Sequence, residues 1–419
     1  MEIKKDQFSG LIVLVCLGLF FGFTLSPALM SIGLIGLACL GIFSIKQAQF
    51  SSTERLISIG MVLFYLLMAV SYFYSSNSDE AQRKLILKLP ILIFPLLLIS
   101  LQTIQSAHRV WIIIGLSFAV YLPGVVSVYN YWSNKDLFDQ LILESKPLPI
   151  EFGYGIYHIQ FSILLSVSII LNAFALLYQE HIISNVFQKR LLLFLAVTNT
   201  LILHILSART GLLAFYVGAL TLLIAQFRHL SLKVKSATIM LLITLPVLMY
   251  YTSVSFKNRM LNSIEDFKVA WTGKDANDYS FAMRVQAWKN ASQLIKAHPL
   301  TGVGIGDADQ ALFEQFKTSN PSILPQNRKN PHLQLLETAV QSGIISSLIL
   351  LGMFLYMSMQ KPNIVLRATS NMLLIASCFE SLLERQSSVI GFAFMLAFAM
   401  SIASKSLVIQ APASRPVSS

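Results

Sequence analysis

The chain has 419 residues, a mean hydropathy of +0.66, 55% hydrophobic and only 12% charged residues, and a formal net charge of +11. Soluble domains carry about a quarter charged residues, so a water-soluble enzyme is excluded. The basic residues are scattered between apolar runs rather than gathered in the patch that a nucleic-acid binder needs, so no nucleic-acid partner is expected.

In chain order, the basic start and apolar run of MEIKKDQFSGLIVLVCLGLFFGFTL look like a signal peptide. No small-residue cleavage site leads into a soluble domain, so the segment reads as a retained first transmembrane helix. Apolar runs follow near 27–45, 56–74, 85–104, 110–130, 157–178, 190–206, 210–227, 236–252, 333–358, 364–381 and 386–404. They are continuous rather than alternating, which favours helices over a barrel. The expected fold is all-α: one polytopic integral membrane domain over residues 1–419, with about 12 transmembrane helices of roughly 20 residues each. The cysteines, Cys16, Cys39 and Cys378, lie inside these runs without metal-ligand spacing and read as small buried hydrophobes.

Twelve crossings put both termini on one side. If that side is the cytoplasm, the inner segments hold fourteen cations against four acids, and the short outer loops hold seven against eight. The positive-inside rule therefore puts both termini in the cytoplasm. Two polar segments then face outward, residues 131–156 and the much longer 253–332, which is expected to contain short helices. A loop of that length in a compact chain points to function. The tail at 411–419, APASRPVSS, reads as disordered.

The long loop has its own pattern. FAMRVQAWKNASQLIKAHP puts Phe281, Val285, Trp288 and Ile295 on one face of an amphipathic helix lying on the membrane, with Arg284 four residues before Trp288. TGVGIGDADQ, at 301–310, follows no strand and has no Walker lysine, so it reads as a sharp turn. Its Asp307 and Asp309 formally make a metal-binding DxD pair, but no metal site is assigned. In HILSARTGLLAF, Arg209 interrupts two apolar runs at the outer face, where an ionisable group is costly and usually functional.

The stretch RKNPHLQLLETAVQSG, residues 328–343, opens a helix for which Asn330 reads as the N-cap and Pro331 fits the first turn. His332 would then sit at the positive end of a dipole that disfavours the imidazolium, leaving a ring able to accept a proton. Arg328 and Lys329 beside it would draw an anion, especially a phosphate. Gln334, Glu337 and Gln341 line one stripe that faces protein or water. In ESLLERQ, Glu380 and Glu384 lie four apart; Arg385 beside them suggests an ion-pair network rather than a glycosidase pair. The outer face thus collects Arg209, Arg284, Arg328, Lys329 and His332, which suits a lipid pyrophosphate substrate.

The order of SARTG, MRVQAW with HPLTGVGIGD, and NPHLQLLETAVQSGI after a long loop resembles the O-antigen ligase and polymerase superfamily, over roughly residues 200–350 by motif. The resemblance implies a cofactor-free, metal-independent, inverting transferase of the bacterial inner membrane. Such enzymes move a glycan from undecaprenyl pyrophosphate to an acceptor at the periplasmic face. It implies that Arg209 and Arg284 hold the pyrophosphate and that His332 acts as base or orients the acceptor hydroxyl. From the residue pattern itself, Arg328, Lys329, Gln334 and Glu337 are expected as further substrate contacts. The leading expectation is a ligase whose acceptor is lipid A–core. The rivals are a polymerase acting on another lipid-linked repeat and a protein O-oligosaccharyltransferase. A polytopic transporter is the alternative outside enzymes; it would need ionisable residues near mid-membrane and repeated halves, and neither is evident here.

Overall fold

The computed structural model describes residues 5–406 apart from 144–145, 147, 151, 155, 179–182, 184, 228–229, 273–275, 278 and 329. Among the described residues the chain is helical and has no strand. The first half runs α1 (Lys5–Leu25), α2 (Pro27–Phe43), α3 (Ser52–Val70), α4 (Ser78–Leu92), α5 (Phe94–Gln102), α6 (Ser106–Ser133), α7 (Lys135–Leu143), α8 (His158–Tyr178) and α9 (Val186–Leu206). The second half runs α10 (Arg209–Gln226), α11 (Leu232–Thr252), α12 (Val254–Thr272), α13 (Ser280–Ala297), α14 (Ala308–Ser319), α15 (Gln334–Ser342), α16 (Ile344–Ser358), α17 (Ile364–Ser377) and α18 (Gln386–Ser406).

Among the described residues, seven helical segments are long and apolar enough to cross a membrane, and five shorter apolar helices accompany them. Their starts follow local capping chemistry. Ser51 and Glu54 form a reciprocal capping box on α3, while Ser26, Asn77 and Asn363 accept backbone amides that α2, α4 and α17 would otherwise leave orphaned. Large side chains such as Phe20, Phe64, Phe161, Phe354 and Phe398 fill the interior, while Ile32, Phe43 and Ile224 point outward, as lipid-facing positions do. Of the seven long apolar segments, α8 is the most buried and α11 the least.

Two of the runs read as single helices are broken, and a third is shorter than expected. The run near 85–104 divides at Ile93, just before Pro95, which cannot donate to the helical ladder. The run near 333–358 divides at Gly343, whose φ of 88° needs a glycine and whose Cβ would meet the Leu300 carbonyl at 2.0 Å. The helix expected to reach residue 381 ends at Ser377. Cys39 also departs from the reading of a buried thiol, being exposed on the outside of α2.

Polar contacts gather at the two ends of the bundle. At one end Asp6 meets His108, Thr53 meets Gln360, and Arg109 reaches the Ile402 carbonyl. At the other, Lys84 pairs with Asp309 and Lys88 with Glu384, and here α7, α12, α13 and α14 form a cap over the helix ends. Helix α13 does not lie alone on a membrane surface as its amphipathic pattern suggests. It packs on α12, α14 and α15 through Ala282, Ala287, Asn290 and Ala291, because its small residues allow close approach while Phe281 and Trp288 stay half-buried.

Candidate active site

Beneath the cap lies a cavity of about 550 Å³ whose lining includes Lys146, Tyr157, His158, Arg209, Arg259 and Arg284. Arg209 opens α10, and Arg259 and Arg284 lie in the second turns of α12 and α13. The apolar floor comes from Ile159, Phe161 and Leu165 of α8 with Leu203 and Leu206 of α9.

Each arginine is placed by its neighbours. The chain leaves α9 through Ser207, a left-handed residue at φ 53°, and re-enters a helix at Arg209. Ala208 offers no capping side chain, so the amides that begin α10 face the cavity without a side-chain acceptor. Asp266, buried in α12, accepts from the Phe281 and Ala282 amides at 2.7 and 3.1 Å, and its other oxygen lies 3.4 Å from Arg209 Nη1. One carboxylate thus caps α13 and orients Arg209 together. Arg259 donates to the Lys146 carbonyl at 2.7 Å; burial, and then the Arg209 guanidinium, lower it to about 10, so it remains a cation at neutral pH. Among the described residues Arg284 forms no ion pair. Three guanidinium groups and one uncapped helix terminus thus line one cavity, an arrangement whose chemistry suits an anion.

His332 is not among the residues that line the cavity; it stands against Glu380, in the segment between α17 and α18. It is not in the first turn of a helix, as its neighbours suggest: α15 begins at Gln334, and His332 is left-handed at φ 48°. Tertiary contacts override the local capping signals. The Pro331 carbonyl accepts from Trp288 Nε1 at 2.7 Å, and Asn330 donates its amide to Asp309 instead of capping. A non-glycine residue held there costs of order 1–3 kcal/mol, and such strain collects at functional sites. His332 Nδ1 lies 3.4 Å from Glu380 Oε2, and neither atom has a hydrogen-bond partner among the described residues. Tyr157 joins this pair to the cavity. It lines the cavity, carries the Arg385 guanidinium 4.1 Å above its ring, and lies within electrostatic range of Glu380 and Arg284.

Other expected contacts are not brought in. Arg328 lies over the Phe313 ring and donates to the Ile323 carbonyl, outside the cavity lining. Lys329 falls outside the described residues. Gln334 and Glu337 do face protein, but they are buried away from the cavity. Gln334 accepts from the Leu383 amide, and Glu337 accepts from Gln341 within range of Lys84 and Lys88. The oxygens of Asp307 serve the Ser76 and Asn77 amides, and those of Asp309 serve Lys84 and Asn330. The network expected around ESLLERQ forms with other partners: Glu384 takes Lys88 and Glu380 takes His332.

Arg259, Asp266, Tyr157 and His158 were not singled out in the sequence. The first two lie on α12, where Ser255, Phe256, Arg259, Asp266 and Val269 are buried at helical spacing. Two charged residues on that stripe were the available signal.

Residues 191–351 match the family model described as O-antigen ligase, and that stretch holds Arg209, Arg259, Arg284 and His332. A protein of Haemophilus influenzae described as uncharacterized is 23% identical over 340 residues, which cover 79% of this chain and 77% of that one. Over residues 191–351, this chain is similar to the O-antigen ligase family.

Proposed function

We propose that the protein is an O-antigen ligase that transfers a glycan from undecaprenyl pyrophosphate to lipid A–core at the periplasmic face of the inner membrane. The observation that carries this reading is the juxtaposition of the Arg209, Arg259 and Arg284 cavity with the His332–Glu380 pair across Tyr157. The arginines and the α10 terminus hold the diphosphate. Glu380 Oε2, 3.4 Å from His332 Nδ1, is placed to take up Nδ1–H as the site closes on substrate, which leaves Nε2 as the base. The acceptor hydroxyl gives its proton to Nε2 while its oxygen bonds to the anomeric carbon, opposite the leaving group. The bond from that carbon to the phosphate oxygen breaks, and its electron pair leaves on the diphosphate. The three guanidinium groups stabilise this growing negative charge. A single displacement inverts the anomeric centre and requires no protein nucleophile. The Asp6–His108 and Arg109–Ile402 contacts support a start of α1 and an end of α18 at the same end of the bundle, and the excess of cations in the inner segments supports that end as cytoplasmic.

Envelope glycans of a strain lacking the gene test the acceptor. The ligase reading predicts bare lipid A–core with long polymer still on the polyprenyl carrier. Core capped by one repeat would make the protein a polymerase, and normal lipopolysaccharide with underglycosylated protein would make it an oligosaccharyltransferase.

A further inference from the structure

Helix α13 touches both halves of the site. Arg284 reaches the cavity from it, and one turn later Trp288 donates its indole N–H to the Pro331 carbonyl at 2.7 Å. Pro331 is buried and directly precedes His332, whose φ of 48° depends on how that peptide is held. The indole is itself fixed edge-on to Phe281, ring centroids 5.8 Å apart, beside the amides that Asp266 caps. On the far side of His332, Gln334 anchors the start of α15 to the Leu383 amide. The base therefore hangs between two hydrogen-bonded anchors, and the one before it belongs to the helix that carries an anion-binding arginine.

We propose that Trp288 is a positioning residue: its N–H···O bond to Pro331 holds His332 in its left-handed conformation and keeps the base in register with the diphosphate held by Arg284. The inference rests on the transferase reading above. It assigns Trp288 no contact with substrate and no proton. Removing the bond leaves Arg284 and the donor pocket intact but frees the His332 peptide to leave its strained conformation. Turnover falls while donor binding does not.

The test uses the full-length protein in nanodiscs, with lipid-linked glycan as donor and lipid A–core as acceptor. Trp288 is replaced by 3-benzothienylalanine, which keeps the bicyclic shape and lacks the N–H donor, and separately by phenylalanine (W288F). Binding of undecaprenyl pyrophosphate is measured in parallel. The expected result for the benzothienyl variant is a kcat lower by about 10- to 100-fold, with the affinity for undecaprenyl pyrophosphate and the donor KM within about twofold of the parent. A benzothienyl variant with unchanged kcat overturns the inference, since the bond is then idle, even if W288F fails to fold. An equal loss of donor affinity also overturns it, because Trp288 then acts on Arg284 and not on the base. If His332→Ala retains full turnover, His332 is not the base and this inference falls while the transferase reading stands; if the parent protein transfers no glycan, the transferase reading itself falls.

Discussion

Asp266 is the residue whose loss separates the architecture of the site from its chemistry. Its Oδ1 accepts two amides at the start of α13, at 2.7 and 3.1 Å, and its Oδ2 faces Arg209 at 3.4 Å, all at 1% exposure. Hydrogen bonds to a charged acceptor contribute about 1.5–3 kcal/mol each, and losing a helix cap typically costs about 1 kcal/mol. The Arg209 pair adds about 0–1 kcal/mol, because the arginine side chain is 35% exposed and partly screened. The cap is those same two bonds, so Asp266→Ala should destabilise the protein by about 3–6 kcal/mol. Asp266→Asn keeps a neutral acceptor for both amides and should cost about 1–2 kcal/mol. The functional consequences diverge further. In Asp266→Asn, Arg209 loses a competing carboxylate, so affinity for undecaprenyl pyrophosphate should be undiminished; in Asp266→Ala, α13 loses its anchor, and both affinity and turnover should fall. Thermal unfolding in detergent, together with binding of undecaprenyl pyrophosphate, reads both effects. Equal destabilisation by the two substitutions would refute the capping role. Undiminished binding in the alanine variant would refute the placement of Arg284 through that cap.

Other substitutions probe separate parts of the site. His332→Ala should lower transfer by about 10²- to 10⁴-fold without weakening donor binding, as measured by release of undecaprenyl pyrophosphate. Arg259→Lys keeps the charge but loses the guanidinium fork, so it should weaken binding of undecaprenyl pyrophosphate in the same titration; unchanged affinity would remove Arg259 from the diphosphate site. Lys88→Met leaves Glu384 as an unpaired carboxylate at a site where the lysine is fully buried, which should cost about 3–5 kcal/mol of stability. Adding Glu384→Leu should recover most of that loss in thermal unfolding, whereas no recovery would show that the ion pair is not what stabilises this junction.

The sequence-level reading succeeds where a single dimension carries the signal. Apolar runs announce the helices, because crossing a bilayer imposes length and continuity on each one separately. Arg209 and Arg284 stand out since each is a charge at an apolar edge. Failures occur where partners come from afar. Asn330, Pro331 and His332 carry every local sign of a helix start, yet Trp288 and Asp309, distant in sequence, take the Pro331 carbonyl and the Asn330 amide. Arg328 reads as an anion ligand from its charge, but the Phe313 face and the Ile323 carbonyl hold it elsewhere. The α12 stripe reads as loop because its charged residues mask an apolar period, and that stripe supplies both Arg259 and Asp266.

The most direct test of the account is transfer by the purified protein in a bilayer supplied only with undecaprenyl-pyrophosphate-linked glycan and lipid A–core, with the anomeric configuration of the product read by nuclear magnetic resonance. The account predicts glycan on the lipid A–core with its configuration inverted from the donor, one undecaprenyl pyrophosphate released per transfer, and loss of product on replacing Arg209, Arg284 or His332. A product of retained configuration, or polymer that lengthens on the polyprenyl carrier while the core stays bare, would contradict it.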